Sequence, residues 1–294
     1  MAIKNVVVVG GSGNVGSAIL DELVKAGYKV TAFSRQDSAA TFPAEVVVKK
    51  VDYASVESLK AALQGQDAVV SAIATIAIGN QNPLIDAAVE VGVKRFIPSE
   101  FGVNTRLVEG TAIGKILQGK IKTVDYLDEK AKANPKFSWT GISSGLFFDW
   151  GLKYGSIGVN KGTKTAVIYD SGNELVQASN LSFIGKAVAA VLANEEKTAN
   201  KYLDIGSPLF TQNRVLDIVE KETGEKWTVQ QASTADEGKI GEEKLSKGDF
   251  SAFSNLLRER VFKDGAGLAE VRGNELLGLK EESLEDTIKT WLKS

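Results

Sequence analysis

The segment VVVVGGSGNVGSAI, residues 6–19, constrains this chain more than any other stretch. Four valines meet three glycines spaced by threes, and an amphipathic segment follows. Gly10, Gly13 and Gly16 stand between an expected strand and an expected helix on which Ile19, Leu20, Leu23 and Val24 recur on one face. In such a turn the first glycine permits the tight reversal, the second lets a pyrophosphate approach the backbone, and the third lets helix and strand pack closely. The helix N-terminus then offers unpaired N–H groups and a partial positive charge to phosphate. Gly10, Gly11, Ser12, Gly13, Asn14, Val15 and Gly16 are therefore expected to bind a dinucleotide. A Walker A loop is excluded because no Lys-Ser/Thr pair follows the glycines.

Strand and helix patterns alternate beyond this turn. A helix is expected from Ser17 to Ala26, then strands at KVTAFS and AEVVVKKVDY, a helix near SVESLKAAL and a strand at DAVVSAIA. A helix near QNPLIDAAVEVG, a strand RFIPS, a long helix between about 111 and 133, and a strand FSWTGISS continue the pattern. Continuous apolar strands of this kind suit a sheet covered on both faces. The expected fold is α/β, a doubly wound and mostly parallel Rossmann sheet with a smaller C-terminal lobe that covers the substrate. With 294 residues and 43% apolar content, the chain is long enough to bury such a core. Residues 1–150 would form the nucleotide domain, completed by elements in 176–206. Residues 151–175 and 207–294 would form the lobe. There TKTAVIYDSGNELVQAS reads as a hairpin around Gly172, FIGKAVAAVLAN as a helix and KYLDIG as a strand.

The end of the second strand bears on which dinucleotide is bound. An NAD site commonly places Asp or Glu there, about 20 residues beyond the glycines, whereas this chain has Ser34 and Arg35. A guanidinium fork and a hydroxyl suit the extra charge of a 2′-phosphate, so NADPH is the expected cofactor. Asp52 ends the third strand, where its carboxylate either accepts a bond from the adenine amino group or starts a turn. Ala72, Ile73 and Ala74 follow the fourth strand at the same edge and are expected beside the cofactor.

The residues absent from the chain limit its chemistry. With no cysteine and no histidine, disulfides, thiolate nucleophiles, the usual zinc sets and Ser-His-Asp triads are all excluded, and no metal is expected. The formal net charge of −2, with 35 basic and 37 acidic residues mixed along the chain, suggests neither a nucleic-acid nor a membrane surface. No charged-then-apolar leader and no run of about 18 apolar residues is present, so a cytoplasmic protein is expected, as monomer or homodimer. The NLS at 180–182 matches a glycosylation sequon, which carries no weight without a leader.

The helix after RFIPSEFG carries the best catalytic candidates. Tyr126 and Lys130 form a Tyr-x-x-x-Lys pair, but at roughly 100° per residue both fall off the apolar face. Ile113, Ile116, Leu117, Val124 and Leu127 share that face, and Lys120 falls in its middle. An inward lysine costs free energy unless its ammonium finds a partner or a pocket. The bland alternative is a lysine that snorkels to the rim or pairs with a carboxylate.

VVGGSGNVG, NPLIDAAVEVGVKRFIPSEFG, Lys120 and WTGISSGLF, in that order, resemble the isoflavone-reductase-like branch of the atypical short-chain dehydrogenases, within the NmrA-like family. The resemblance covers at least residues 5–150, and PSEFG is its most specific element. It implies an NADPH-dependent reductase of small aromatic or heterocyclic molecules, acting at conjugated double bonds, benzylic ethers or carbonyls. It also implies that Lys120 is the catalytic residue, since the tyrosine of ordinary short-chain dehydrogenases would fall at Ile116. By the same resemblance Gly145, Leu146 and Phe147 pass the nicotinamide. Phe101, Phe147, Phe148 and Trp150 would form an aromatic wall for the substrate, although ordinary core packing explains each of them equally well. Glu100 is expected to hold its loop. The family's usual SSNCF reads SSGLF here, which replaces an amide side chain with Gly145. Two other classes remain open: a catalytically silent NADP(H) sensor that binds a protein partner, and an NAD-retaining epimerase or dehydratase.

Overall fold

In a computed structural model that describes residues 2–75 and 81–294, the alternation read from the sequence is the order of the elements. Along the chain run β1 (Asn5–Val9), α1 (Asn14–Lys25), β2 (Lys29–Arg35), β3 (Val47–Val51), α2 (Val56–Leu63) and β4 (Ala68–Ser71). Next come α3 (Asn82–Glu90), β5 (Arg95–Ile97), α4 (Ala112–Ile116), α5 (Gln118–Ala133) and β6 (Ser138–Ser143). The chain then turns through β7 (Leu146–Phe147), α6 (Phe148–Tyr154), β8 (Val159–Asn160), β9 (Thr165–Tyr169) and β10 (Ala178–Ser179). It continues with α7 (Leu181–Ala193), α8 (Glu195–Thr198) and β11 (Lys201–Asp204). Last are α9 (Gln212–Thr223), β12 (Thr228–Ala232), α10 (Thr234–Ser246), α11 (Ala252–Phe262), α12 (Gly273–Leu277) and α13 (Leu284–Lys293).

Seven strands pair in the order β11-β6-β5-β4-β1-β2-β3, every pair parallel. The valine run explains the layering. Successive side chains of a strand point to opposite faces, so Val6 and Val8 enter a core with Leu20 and Leu23 of α1 and Val188 of α7. Val7 and Val9 enter a second core with Leu59 of α2, Ile85 of α3 and Val124 of α5. A strand buried on both faces needs no polar alternation, and β1 has none. The reversal of strand order between β1 and β4 opens the crevice in which folds of this type hold their ligands.

The second lobe is built on a three-stranded sheet, β12-β9-β8, backed by a core that includes Phe148, Phe210, Ile218 and Trp291. The hairpin expected around Gly172 does not form. Gly172 turns the chain, but β9 pairs instead with β8 and β12, and the following segment leaves to set β10 parallel beside β7. The expected long helix is also two helices. They meet at Leu117, where the Lys120 N–H bonds the Leu117 carbonyl three residues back at 2.9 Å. Gly114 and Gly119 flank that junction, and glycine lowers helix propensity. Among the described residues no helix is long and apolar enough to cross a membrane.

Candidate active site

The glycine turn is held by its own backbone. The Gly13 N–H donates to the Gly10 carbonyl at 3.0 Å, and Gly10 adopts φ +80°. A Cβ on Gly16 would lie 2.1 Å from the Gly10 oxygen, so only glycine lets α1 start this close to β1. Gly13 caps α1 without a side-chain bond, which leaves the donors of the first turn facing the crevice. Gly10, Ser12 and Gly13 line a groove of about 510 Å³, with Ser34 and Arg35 at one end and Ala72, Ile73 and Ala74 along its floor. Gly11, Val15 and Gly16 are not among the groove's lining and belong to the turn that supports it.

Asp52 takes up the turn and is not among the groove's lining. Its carboxylate accepts the Ala54 N–H at 2.9 Å and starts the turn into α2, while the neighbouring Tyr53 lines the groove. Burial pushes the Tyr53 hydroxyl up to about 12, so it stays a neutral donor. Lys50 was not singled out by sequence. From β3 its ammonium reaches Ser34 Oγ at 3.4 Å and the carbonyls of Arg35 at 3.2 Å and Ser38 at 2.5 Å, which fixes the loop that carries the expected phosphate-binding pair.

A second cleft, of about 470 Å³, begins at Asn14 on α1 and runs under the smaller lobe. Lys120 lines it from the first turn of α5 and is 7% exposed. The ammonium donates to the Phe101 carbonyl at 3.5 Å, and among the described residues no carboxylate stands within ion-pair distance. Burial pulls its pKa below the usual lysine value, with the Glu100 charge opposing. Glu100, 1% exposed, accepts from Thr105 Oγ1 at 2.5 Å and from the Tyr202 hydroxyl at 2.6 Å. It ties its loop to β11, and burial together with Glu100 raises the Tyr202 hydroxyl pKa well above the ordinary value.

The other pair on this helix lies elsewhere. The Tyr126 hydroxyl donates to Asp86 at 2.7 Å, and Lys130 pairs with the same carboxylate at 2.6 Å, between α5 and α3. Phe101, Gly145, Leu146, Phe147 and Trp150 line the Lys120 cleft as expected. Phe148 does not. It is fully buried in the lobe's core, its ring 5.0 Å from that of Phe210, because a residue that opens α6 one step after Phe147 points about 100° away from it. Gly145 adopts φ +63°, and a Cβ there would lie 2.0 Å from the Gln177 carbonyl oxygen. The close approach of β10 thus accounts for a glycine where the family pattern carries an amide side chain.

The remaining wall was missed by sequence reasoning. α11 brings Phe253, Leu257, Arg258, Val261 and Phe262 to the cleft. Apolar residues at 253, 257 and 261 recur four apart and were the legible signal. Their destination was not, because it depends on α11 packing against α4 through Leu256 and Ile113.

The profile of the NmrA-like family matches residues 2–247. The chain is 35% identical to the oxidoreductase aprR of Aspergillus flavus over 303 residues, covering 100% of both chains. It is 33% identical to the oxidoreductase poxI of Penicillium oxalicum over 284 residues, covering 94% of this chain and 90% of that one. The isoflavone reductase homolog IRL of Zea mays is 30% identical over 241 residues, 75% of each. Among solved structures, a leucoanthocyanidin reductase–NADPH complex from Vitis vinifera has the same fold, with a TM-score of 0.83 at 18% identity, covering 99% of this chain and 100% of that one. Glycine turn, doubly wound sheet and inward lysine thus occur in a chain that belongs to the NmrA-like family, on its isoflavone-reductase-like branch, among oxidoreductases.

Proposed function

We propose that the protein is an NADPH-dependent reductase of small planar aromatic or heterocyclic substrates: enones, quinones, benzylic ethers or carbonyls. The observation that carries this reading is the Lys120 ammonium, buried in a cleft that starts at the N-terminus of α1 and is walled by aromatic rings. Reduced nicotinamide supplies the hydride when bound. The residues fit such a cofactor: the uncapped first turn of α1 suits a pyrophosphate, and Ser34 with Arg35 suits a 2′-phosphate. Solved relatives of the fold hold NADP+ with (+)-pinoresinol, or NADPH, which supports the same assignment.

In this reading Gly145, Leu146 and Phe147 flank the reacting face, while Phe101 and Trp150 hold the substrate plane. Lys120 donates hydrogen bonds that orient the reactants and stabilises negative charge as it builds on the substrate. Its lowered pKa makes proton release easier than for an exposed lysine. The main sheet takes β11 as its last strand, which supports a nucleotide domain of 1–150 completed by elements in 176–206. The test is NADPH oxidation against a panel of quinones, enones and aromatic carbonyls. Lys120→Ala is expected to keep NADPH affinity within a few-fold and to lower kcat by about 10²–10⁴, the usual contribution of a positioned acid. Near-normal kcat in that variant overturns the assignment.

A further inference from the structure

The substrate cleft carries two cations from different elements, Lys120 on α5 and Arg258 on α11, and among the described residues no carboxylate lines it. We infer that Arg258 recognises an anionic group on the substrate, and that the preferred substrate is an aromatic carboxylate rather than a neutral ring. This rests on the reductase reading for the identity of the cleft and deepens it to a substrate class.

The geometry around Arg258 is that of a held guanidinium with donors to spare. Nη1 bonds Glu237 Oε2 at 3.1 Å, and the same carboxylate accepts from Asn255 Nδ2 at 2.5 Å and from the Tyr169 hydroxyl at 3.4 Å. Glu237 lies behind the wall and does not line the cleft. An arginine fork has five N–H donors in a fixed plane, and a carboxylate matches two of them at once. With one edge fixed by Glu237, the other edge loses little freedom when it grips a ligand. Ser254 lies one helical turn before Arg258, also lines the cleft, and adds a hydroxyl donor on the same face of α11. The neighbouring hollow shows the opposite character. Arg260 there is accompanied by Asp204 and Glu270, which repel an anion. The Lys120 cleft therefore brings together rings for the aromatic body and a half-anchored cation for the acid.

The test compares 2-naphthoate with methyl 2-naphthoate by calorimetry on the full chain with saturating NADP+, which keeps the acid off the phosphate-binding donors. The acid is expected to bind about ten- to a hundredfold more tightly, as charge-assisted hydrogen bonds typically give. Arg258→Met is expected to abolish that preference, so that acid and ester bind with similar affinity, and measurable ester binding shows the cleft to be intact. Should Arg258→Met fold poorly, Arg258→Lys is read instead and is expected to keep only part of the preference. Equal binding of acid and ester overturns the inference, as does a preference that survives in Arg258→Met or is lost only in Lys120→Ala. NADP+ binding is titrated first on the same sample. Its absence defeats the reductase reading alone, because dependence on Arg258 still decides the acid preference in cofactor-free protein.

Discussion

Gly145 offers a quantitative test of how closely the chain before β10 approaches the turn into β7. Placing an alanine there puts a Cβ at φ +63°, 2.0 Å from the Gln177 oxygen and 2.4 Å from its carbonyl carbon. Both atoms are backbone, so no side chain can swing aside. The left-handed conformation alone costs about 1–2 kcal/mol, and forcing atoms into a packed site costs about 1–3 kcal/mol more. Moving β10 away also strains the hydrogen bond from the Leu146 N–H to the Gln177 carbonyl, 3.0 Å long, whose loss is worth about 1 kcal/mol. Gly145→Ala is therefore expected to cost about 3–6 kcal/mol, or roughly 10 °C in Tm for a chain of this size. Gly224 provides the control, because it has φ +69° at the end of α9 with nothing within 4 Å of the added carbon. Gly224→Ala should cost only the conformational part, about 1–2 kcal/mol. Gly145→Asn separates the two contributions, since asparagine tolerates the left-handed region but still carries the Cβ. Thermal and urea denaturation measure all three variants. If Gly145→Ala falls within about 2 °C of Gly224→Ala, the close approach of β7 and β10 is wrong, and with it the account of why an amide is missing at this position.

Two further expectations concern the nucleotide half. Arg35→Ala should reduce the preference for NADPH over NADH by about tenfold or more, measured as a ratio of dissociation constants; an unchanged ratio removes the guanidinium from cofactor choice. Asp67 ties β1 to the loop before β5. Burial raises its pKa, but the Asn5 N–H, the Lys94 ammonium and the Lys4 N–H outweigh it and hold the carboxyl at about 2. A depressed carboxyl stabilises the fold above its unfolded pKa near 4, and the gain is lost as pH falls through about 2. Asp67→Asn should therefore cost about 1–2 kcal/mol at pH 7, solvent screening at this partly exposed site reducing the full conversion, and a small fraction of that at pH 2, and an equal cost at both pH values would contradict the assignment.

Local periodicity made the nucleotide half legible and left most of the lobe obscure. The valine run, the glycine spacing and the face of α1 each encode their partners within about one turn or strand, so the sheet could be read in order. Lys120 was legible for the same reason: a charge on an apolar stripe conflicts with its neighbours, and its burial follows from the stripe. The hairpin around Gly172 misled because a glycine turn fixes a reversal but not the partner of the strand that follows, and β10 found β7. Phe148 misled because aromatic residues adjacent in sequence point to different sides once a helix begins between them. Arg258 was invisible because its place on the wall is set by α11 packing on α4, more than a hundred residues away in the chain.

The return of the chain to the main sheet through β11, after β8 and β9 have already founded the smaller lobe, bears on how the molecule comes apart. Later still, α12 sets Leu277 into the same core as α7 and the valines of β1. Neither half owns a continuous piece of chain, so deleting the C-terminal residues strips the nucleotide-binding half of part of its own interior. Denaturation should proceed as one cooperative event, and no protease cut should release a free-standing N-terminal fragment.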